Sequence, residues 1–254
     1  MTVFVPQGAS PEHHLPVLVA LHGQGESRKP PSVGARGWID DYWLARADAR
    51  LRQPPLSSDD FLGMITPERL AKINRSLRER PFRGLIVVCP YLPDRFRKEA
   101  MYTEARLYGE FLVKQVLPRV HREAPALSAP AQTGIDGVSL GGRAGLLAGL
   151  GHAEHFGAVA ASQPAIGKSQ VERVTQLAVL ARNRSPGLRL RLLSSQRDRF
   201  REVTLMLGAS FAERGVDADV DIVEGNHSYE LNRGPGAYEM LLWFDRALRG
   251  ERYL

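Results

Sequence analysis

An α/β fold, with a mostly parallel central sheet and helices on both faces, is what this 254-residue sequence predicts. Three observations carry the prediction. Short apolar runs alternate along the chain with segments of helical period. Two of those runs, Val17-Leu18-Val19-Ala20-Leu21 and Leu85-Ile86-Val87-Val88-Cys89, are apolar at consecutive positions, as strands covered on both faces must be. The length suits one domain of this kind and is short for two.

Taken in order, Val17 to Leu21 and Leu85 to Cys89 are expected in the middle of the sheet, followed by Gly134 to Gly137 and Ala158 to Ala161. Leu188-Arg189-Leu190-Arg191-Leu192 and Val216-Asp217-Ala218-Asp219-Val220-Asp221-Ile222 alternate strictly. That alternation predicts strands near an edge with one face in water, and if the two are neighbours, Arg189 and Arg191 face the aspartates. Val203, Met206, Leu207, Ser210 and Phe211 recur at helical spacing, as do Met240, Trp243, Phe244 and Ala247, so both segments are expected to pack on the sheet. A further helix is expected over Thr103 to Val120, broken or kinked near its end by Pro118. Between Gln24 and Pro81 no strand is evident. Two readings stand for this stretch: a lid or pocket wall, residues 25–83, or ordinary helices near Trp43 to Leu51 and Pro67 to Arg78 with the aromatics Trp38, Tyr42, Trp43 and Phe61 in the core.

With 43% hydrophobic and 24% charged residues, the composition is that of a globular protein. The formal charge is +6, and only five of the 34 basic residues are lysine. These cations are scattered among acidic neighbours rather than gathered in a nucleic-acid-binding motif, so no nucleic-acid partner is expected. Cys89 is the only cysteine and lies in an apolar run, which excludes an intrachain disulfide and predicts a buried thiol. No apolar run of about 18 residues is present, and the first residues lack the pattern of a secretory leader; a cytoplasmic chain without a membrane partner is the expectation.

Gly137-Val138-Ser139-Leu140-Gly141 follows one predicted strand directly and precedes a helical segment. A serine in G-x-S-x-G between strand and helix sits on a strained turn that pushes its hydroxyl out of the fold, which makes Ser139 the candidate nucleophile. Such a serine needs donors for the oxyanion of acyl transfer. The Leu140 amide is one candidate. The Gln24 amide, in the His22-Gly23-Gln24-Gly25 turn after the Val17 strand, is the other. His22 itself, inside that turn, reads as a residue that shapes the loop.

Of the seven histidines, His227 stands apart. It lies in Glu224-Gly225-Asn226-His227-Ser228, read as a short polar loop after the penultimate strand and before the last helix, and loops beyond strand carboxyl ends are where open α/β sheets place their sites. It is the candidate base. Asp198, just past the Leu188 strand, is the candidate that orients it, with Glu202 and Glu224 as rivals. The order Ser, Asp, His is the one this sheet expects, with room for a strand-helix unit in each interval.

On the elbow, the His22-Gly23-Gln24-Gly25 turn and the late histidine, the chain resembles the α/β-hydrolase superfamily, and within it the esterases that include esterase D and feruloyl-esterase-type enzymes. The likeness runs from Thr2 to about Leu248. Val3-Phe4-Val5-Pro6 is similar to their early strand, Val116-Leu117-Pro118 to the end of the helix before the elbow, and Gly225-Asn226-His227 to their glycine-histidine loop. The resemblance implies an esterase without metal or organic cofactor. Two departures follow: the opening hairpin usual in the superfamily is expected to be short or absent, and the stretch from Gly25 to Arg83 is longer than the plainest members need. The expected activity is hydrolysis of a small-molecule carboxylic ester or thioester through an acyl-enzyme. An acyltransferase on the same residues, or a binding protein that kept the fold without the chemistry, are the alternatives.

Overall fold

The computed structural model describes residues 1–94 and 100–254. Seven strands, β1 (Thr2–Phe4), β2 (Val17–Leu21), β3 (Ile86–Cys89), β4 (Thr133–Gly137), β5 (Ala158–Ser162), β6 (Arg189–Arg197) and β7 (Asp219–Asn226), form one sheet in the order β1-β3-β2-β4-β5-β6-β7. Only β1 runs antiparallel, against β3; every other pairing is parallel. This is the α/β-hydrolase architecture.

The consecutive apolar residues of β2 and β3 divide strictly by parity. Val17, Val19, Leu21, Ile86 and Val88 enter the core on one face, whereas Leu18, Ala20, Val87 and Cys89 enter the core on the other. Side chains of a strand alternate between faces, so a strand covered on both sides is apolar at consecutive positions unless a polar side chain finds buried partners. The first core is closed by helices Met101–Phe111, Leu140–Gly151, Val171–Arg184 and Arg201–Glu213, the second by Leu44–Leu51, Pro67–Glu79 and Ala237–Ala247. Cys89 is buried, and burial pushes its thiol up to about 12. Among the described residues no helix is long and apolar enough to cross a membrane.

Four details differ from the sequence expectations. β3 is not central: β1 alone separates it from the edge, and its burial on both faces comes from the helices above and below. The last strand begins at Asp219 rather than Val216 and runs on through Glu224 to Asn226, so His227 follows the final strand, not the penultimate one. Pro118 does not end its helix; a π turn at Leu112–Val116 precedes it and the helix continues over Leu117–Glu123. The wider turn accommodates a residue that cannot donate to the ladder and whose ring crowds the preceding turn. Finally, the polar face of β6 meets buried acid rather than water at its centre. Arg191 is 2% exposed and donates from Nε to Asp221 at 3.0 Å and from Nη2 to Glu239 at 2.6 Å, while Arg189 caps the Glu251 carbonyl instead of an aspartate.

The stretch after β2 is helical. Leu44–Leu51 and Pro67–Glu79 are its two longest helices, and Trp38, Tyr42 and Phe61 are buried in the second core; Trp43 stays outside it, half-buried, with the guanidinium groups of Arg46 and Arg233 over its ring.

Candidate active site

Parallel strands expose their carboxyl ends together, and β2, β4, β6 and β7 all deliver side chains to the same rim. β4 ends at the elbow. Ser139 has φ 59° and ψ −112°, a left-handed conformation costly for a residue with a Cβ. The two glycines around it are required by space. A Cβ on Gly137 would meet the Gly141 backbone at 2.4 Å, and one on Gly141 would meet the His22 carbonyl at 2.4 Å. The chain thus turns from strand to helix against β2 with no side chain between.

The Ser139 hydroxyl lies 3.0 Å from His227 Nε2, and His227 Nδ1 lies 3.0 Å from Asp198 Oδ1. A carboxylate only accepts here, so Nδ1 carries the proton and Nε2 is free to accept from the serine. Asp198 is buried. Its Oδ1 also accepts the Phe200 amide at 3.1 Å, and its Oδ2 accepts from Ser194 at 2.7 Å. Burial alone would raise the Asp198 pKa, but the donors from His227, Ser194 and Phe200 outweigh it and hold the carboxyl below its ordinary value. Phe200 and the imidazole meet edge to face, with ring centroids 5.4 Å apart.

The rivals lie elsewhere. Glu202 pairs with Lys168 at 2.6 Å and Glu224 accepts from Gln196 at 2.7 Å. The interval between Ser139 and Asp198 holds two helix-strand units rather than the one expected, Leu140–Gly151 with β5 and Val171–Arg184 with β6; the interval to His227 holds one.

The turn after β2 is held from several sides. Leu92 donates its amide to His22 Nε2 at 3.0 Å, so Nδ1 bears the proton and donates to the Gly23 carbonyl at 3.0 Å. His22 is 1% exposed and shapes the loop. The Gln24 side chain turns outward to Asp94 at 3.4 Å. Among the described residues neither the Gln24 amide nor the Leu140 amide donates to a protein acceptor, and both belong to segments that border Ser139.

A cavity of about 210 Å³ opens on Ser139 and His227; Gly23, Gln24, Glu26, Tyr42 and Tyr229 form part of its wall and Arg199 stands at it. Gln163, another lining residue, holds a left-handed backbone (φ 47°) and donates from Nε2 to Ser195 at 2.9 Å and to the Asn226 carbonyl at 3.1 Å, tying β5 to the ends of β6 and β7. Glu26, Tyr229, Gln163 and Ser194 escape a reading of the sequence. Only Glu26 carries a signal there, as an acidic residue beside a glycine turn; the others are ordinary polar residues that long-range folding brings to the rim.

The Esterase family model, described as "Putative esterase", matches residues 87–231, more than half of the chain. Among solved structures, the fold is similar to a ferulic acid esterase, with a TM-score of 0.68 and 16% identity over 96% of this chain and 91% of that one. It is similar to the S-formylglutathione hydrolase of Staphylococcus aureus, with a TM-score of 0.60 and 13% identity over 91% of this chain and 82% of that one. It is also similar to the fluorophosphonate-binding serine hydrolase F of Staphylococcus aureus, with a TM-score of 0.65 and 12% identity over 96% of this chain and 91% of that one. At such identities the likeness is one of fold. No curated protein sequence matches.

Proposed function

Because this chain belongs to the esterase family and is a serine-type carboxylic ester hydrolase, we propose that Ser139, His227 and Asp198 are its catalytic triad and that the amides of Gln24 and Leu140 receive the oxyanion. The observation that carries the proposal is the unbroken chain of contacts from the Ser139 hydroxyl through His227 to a buried, negatively charged Asp198, each link 3.0 Å long. In this scheme His227 Nε2 takes the serine proton as Oγ attacks the ester carbonyl, and the tetrahedral oxyanion accepts from the two amides. Collapse expels the alcohol, which takes its proton from His227, and leaves the acyl group on Ser139. A water that gives its proton to the same imidazole then attacks the acyl-enzyme and releases the acid. Asp198 stays ionised throughout and stabilises the imidazolium.

The structural neighbours are named for a ferulic acid ester and for a thioester, S-formylglutathione. A cavity of about 210 Å³ supports a small acyl group on this chain. We take the whole chain as one hydrolase domain in which residues 25–83 build a wall of the pocket, since Glu26 and Tyr42 both line it.

Ser139→Ala tests the proposal. Turnover of nitrophenyl acetate or butyrate is expected to fall by at least about a thousandfold, and fluorophosphonate labelling is expected to disappear. Full turnover in that variant sinks the assignment.

A further inference from the structure

Glu26 is buried, acidic and unused by the chemistry proposed above. It is 1% exposed and closes the His22-Gly23-Gln24-Gly25 turn whose Gln24 amide is proposed as an oxyanion donor. A carboxylate taken this far from water keeps its charge only with donors on its oxygens. Each oxygen has its own phenol: Tyr42 donates to Oε2, and Tyr229 donates to Oε1 at 2.5 Å. Lys29 Nζ stands 3.9 Å from Oε1.

What those phenols hold explains the arrangement. The Tyr42 hydroxyl accepts the Gly23 amide at 3.2 Å, so Glu26 grips the start of its own turn through Tyr42. Tyr229 lies two residues beyond His227, so Glu26 also grips the loop that carries the base. The approach of Tyr229 needs a glycine at position 25, where a Cβ would sit 2.3 Å from the phenol oxygen. The rings of Tyr42 and Tyr229 meet edge to face, with centroids 5.6 Å apart.

We infer that Glu26, with Tyr42 and Tyr229, is a positioning clamp that locks the oxyanion turn and the His227 loop into one frame. The inference rests on the catalytic assignment above. Oxyanion donors accelerate acyl transfer because they already point at the developing charge, and a turn free to move relative to the base loses that advantage. The two phenols and Lys29 also share the negative charge that Glu26 brings to the cavity wall. Burial and the neighbouring Glu26 charge raise both phenol pKa values, so both remain protonated donors at neutral pH.

Tyr229→Phe and Glu26→Gln, measured with wild type and Ser139→Ala on nitrophenyl acetate, test the clamp, with kcat expressed per site titrated by a fluorophosphonate. Tyr229→Phe removes one hydroxyl from a partly exposed ring, so it decides the matter even if Glu26→Gln does not fold. The expected result is a fall in kcat of about tenfold to a hundredfold with KM within about twofold, since a loosened donor costs less than a deleted one. Affinity for a boronic acid, which mimics the tetrahedral adduct, is expected to fall by the same factor. Wild-type kcat and boronate affinity in Tyr229→Phe, or a loss confined to KM or to Tm, overturn the clamp while an inactive Ser139→Ala leaves the triad standing. Full activity in Ser139→Ala removes both.

Discussion

Asp136 sits three residues before Ser139, 2% exposed, with its Oδ1 accepting the Gly137 amide at 2.6 Å and its Oδ2 accepting from Ser162 at 3.3 Å. Burial pushes its carboxyl up to about 7 against the pull of those donors and of Arg191. The sign of the consequence follows from linkage. A carboxyl whose folded pKa exceeds its unfolded value of 3.8 contributes stability that is present below pH 3.8 and lost as the pH rises through about 7. The loss is at most about 4 kcal/mol. Asp136→Asn keeps an acceptor for Gly137 and cannot ionise, so its Tm is expected to exceed the wild-type value above pH 7 and to converge on it near pH 4. Parallel Tm profiles for the two proteins across that range defeat the prediction. Asp198 shows the opposite case at the same scale, because its donors outweigh burial and its folded pKa is lowered. Its contribution to stability is present above the ordinary carboxylate value and lost only as the pH falls through the depressed one. Two buried aspartates close to the nucleophile therefore shift in opposite directions, and the balance of burial against donors at each decides which.

At the scale of elements, the elbow depends on how closely β2, β4 and the helix Leu140–Gly151 approach. Gly141 is one of the two tightest points: an added Cβ would lie 2.4 Å from the His22 carbonyl oxygen and 2.5 Å from that of Leu21, backbone atoms where β2 passes into the oxyanion turn. Neither can yield as a flexible side chain would. Gly141→Ala is expected to cost more than about 2 kcal/mol in urea unfolding and to reduce kcat, because relief of the clash shifts the turn that carries Gln24. A variant with wild-type stability and activity shows that β2 and the helix separate without strain. The strands themselves were legible for a related reason. Parity in β2 and β3 reports two covered faces, and that pattern survives any choice of neighbouring strand. The misread face of β6 shows the limit. Alternation of Leu with Arg says that one face is polar and does not say what lies against it, and here it is buried acid rather than water.

Across the whole molecule, that buried face fastens the β7 edge of the sheet to the helices and the carboxyl-terminal residues. Glu239 on the helix Ala237–Ala247 accepts from Arg69 Nε at 2.6 Å, from Arg191 Nη2 at 2.6 Å and from Tyr253, and Asp221 of β7 bridges the same two arginines. Burial would raise the Glu239 carboxyl, yet the Arg69 and Arg191 charges bring it down to about 2. Its stabilisation is thus present above pH 4.5, the unperturbed value, and lost as the pH falls through about 2. Glu239→Gln leaves buried Arg191 and half-buried Arg69 with Asp221 as their one shared carboxylate and is expected to destabilise by about 3 kcal/mol at pH 7. The deficit is expected to shrink on acidification. A deficit below 1 kcal/mol at pH 7 in urea titrations contradicts the account.

The sequence by itself determined the α/β architecture, the elbow at Ser139, the turn at His22 to Gly25 and the prominence of His227. All of these are local: a strained strand-to-helix turn needs its glycines within two residues of the serine, and a doubly covered strand needs its apolar run unbroken. The tertiary structure alone decided which carboxylate faces His227 and what the polar side of β6 meets. It alone joined Glu26 to Tyr229, 203 positions apart in the chain. Contacts of that kind depend on where strands and helices come to rest against one another, and spacing along a chain carries no measure of that distance.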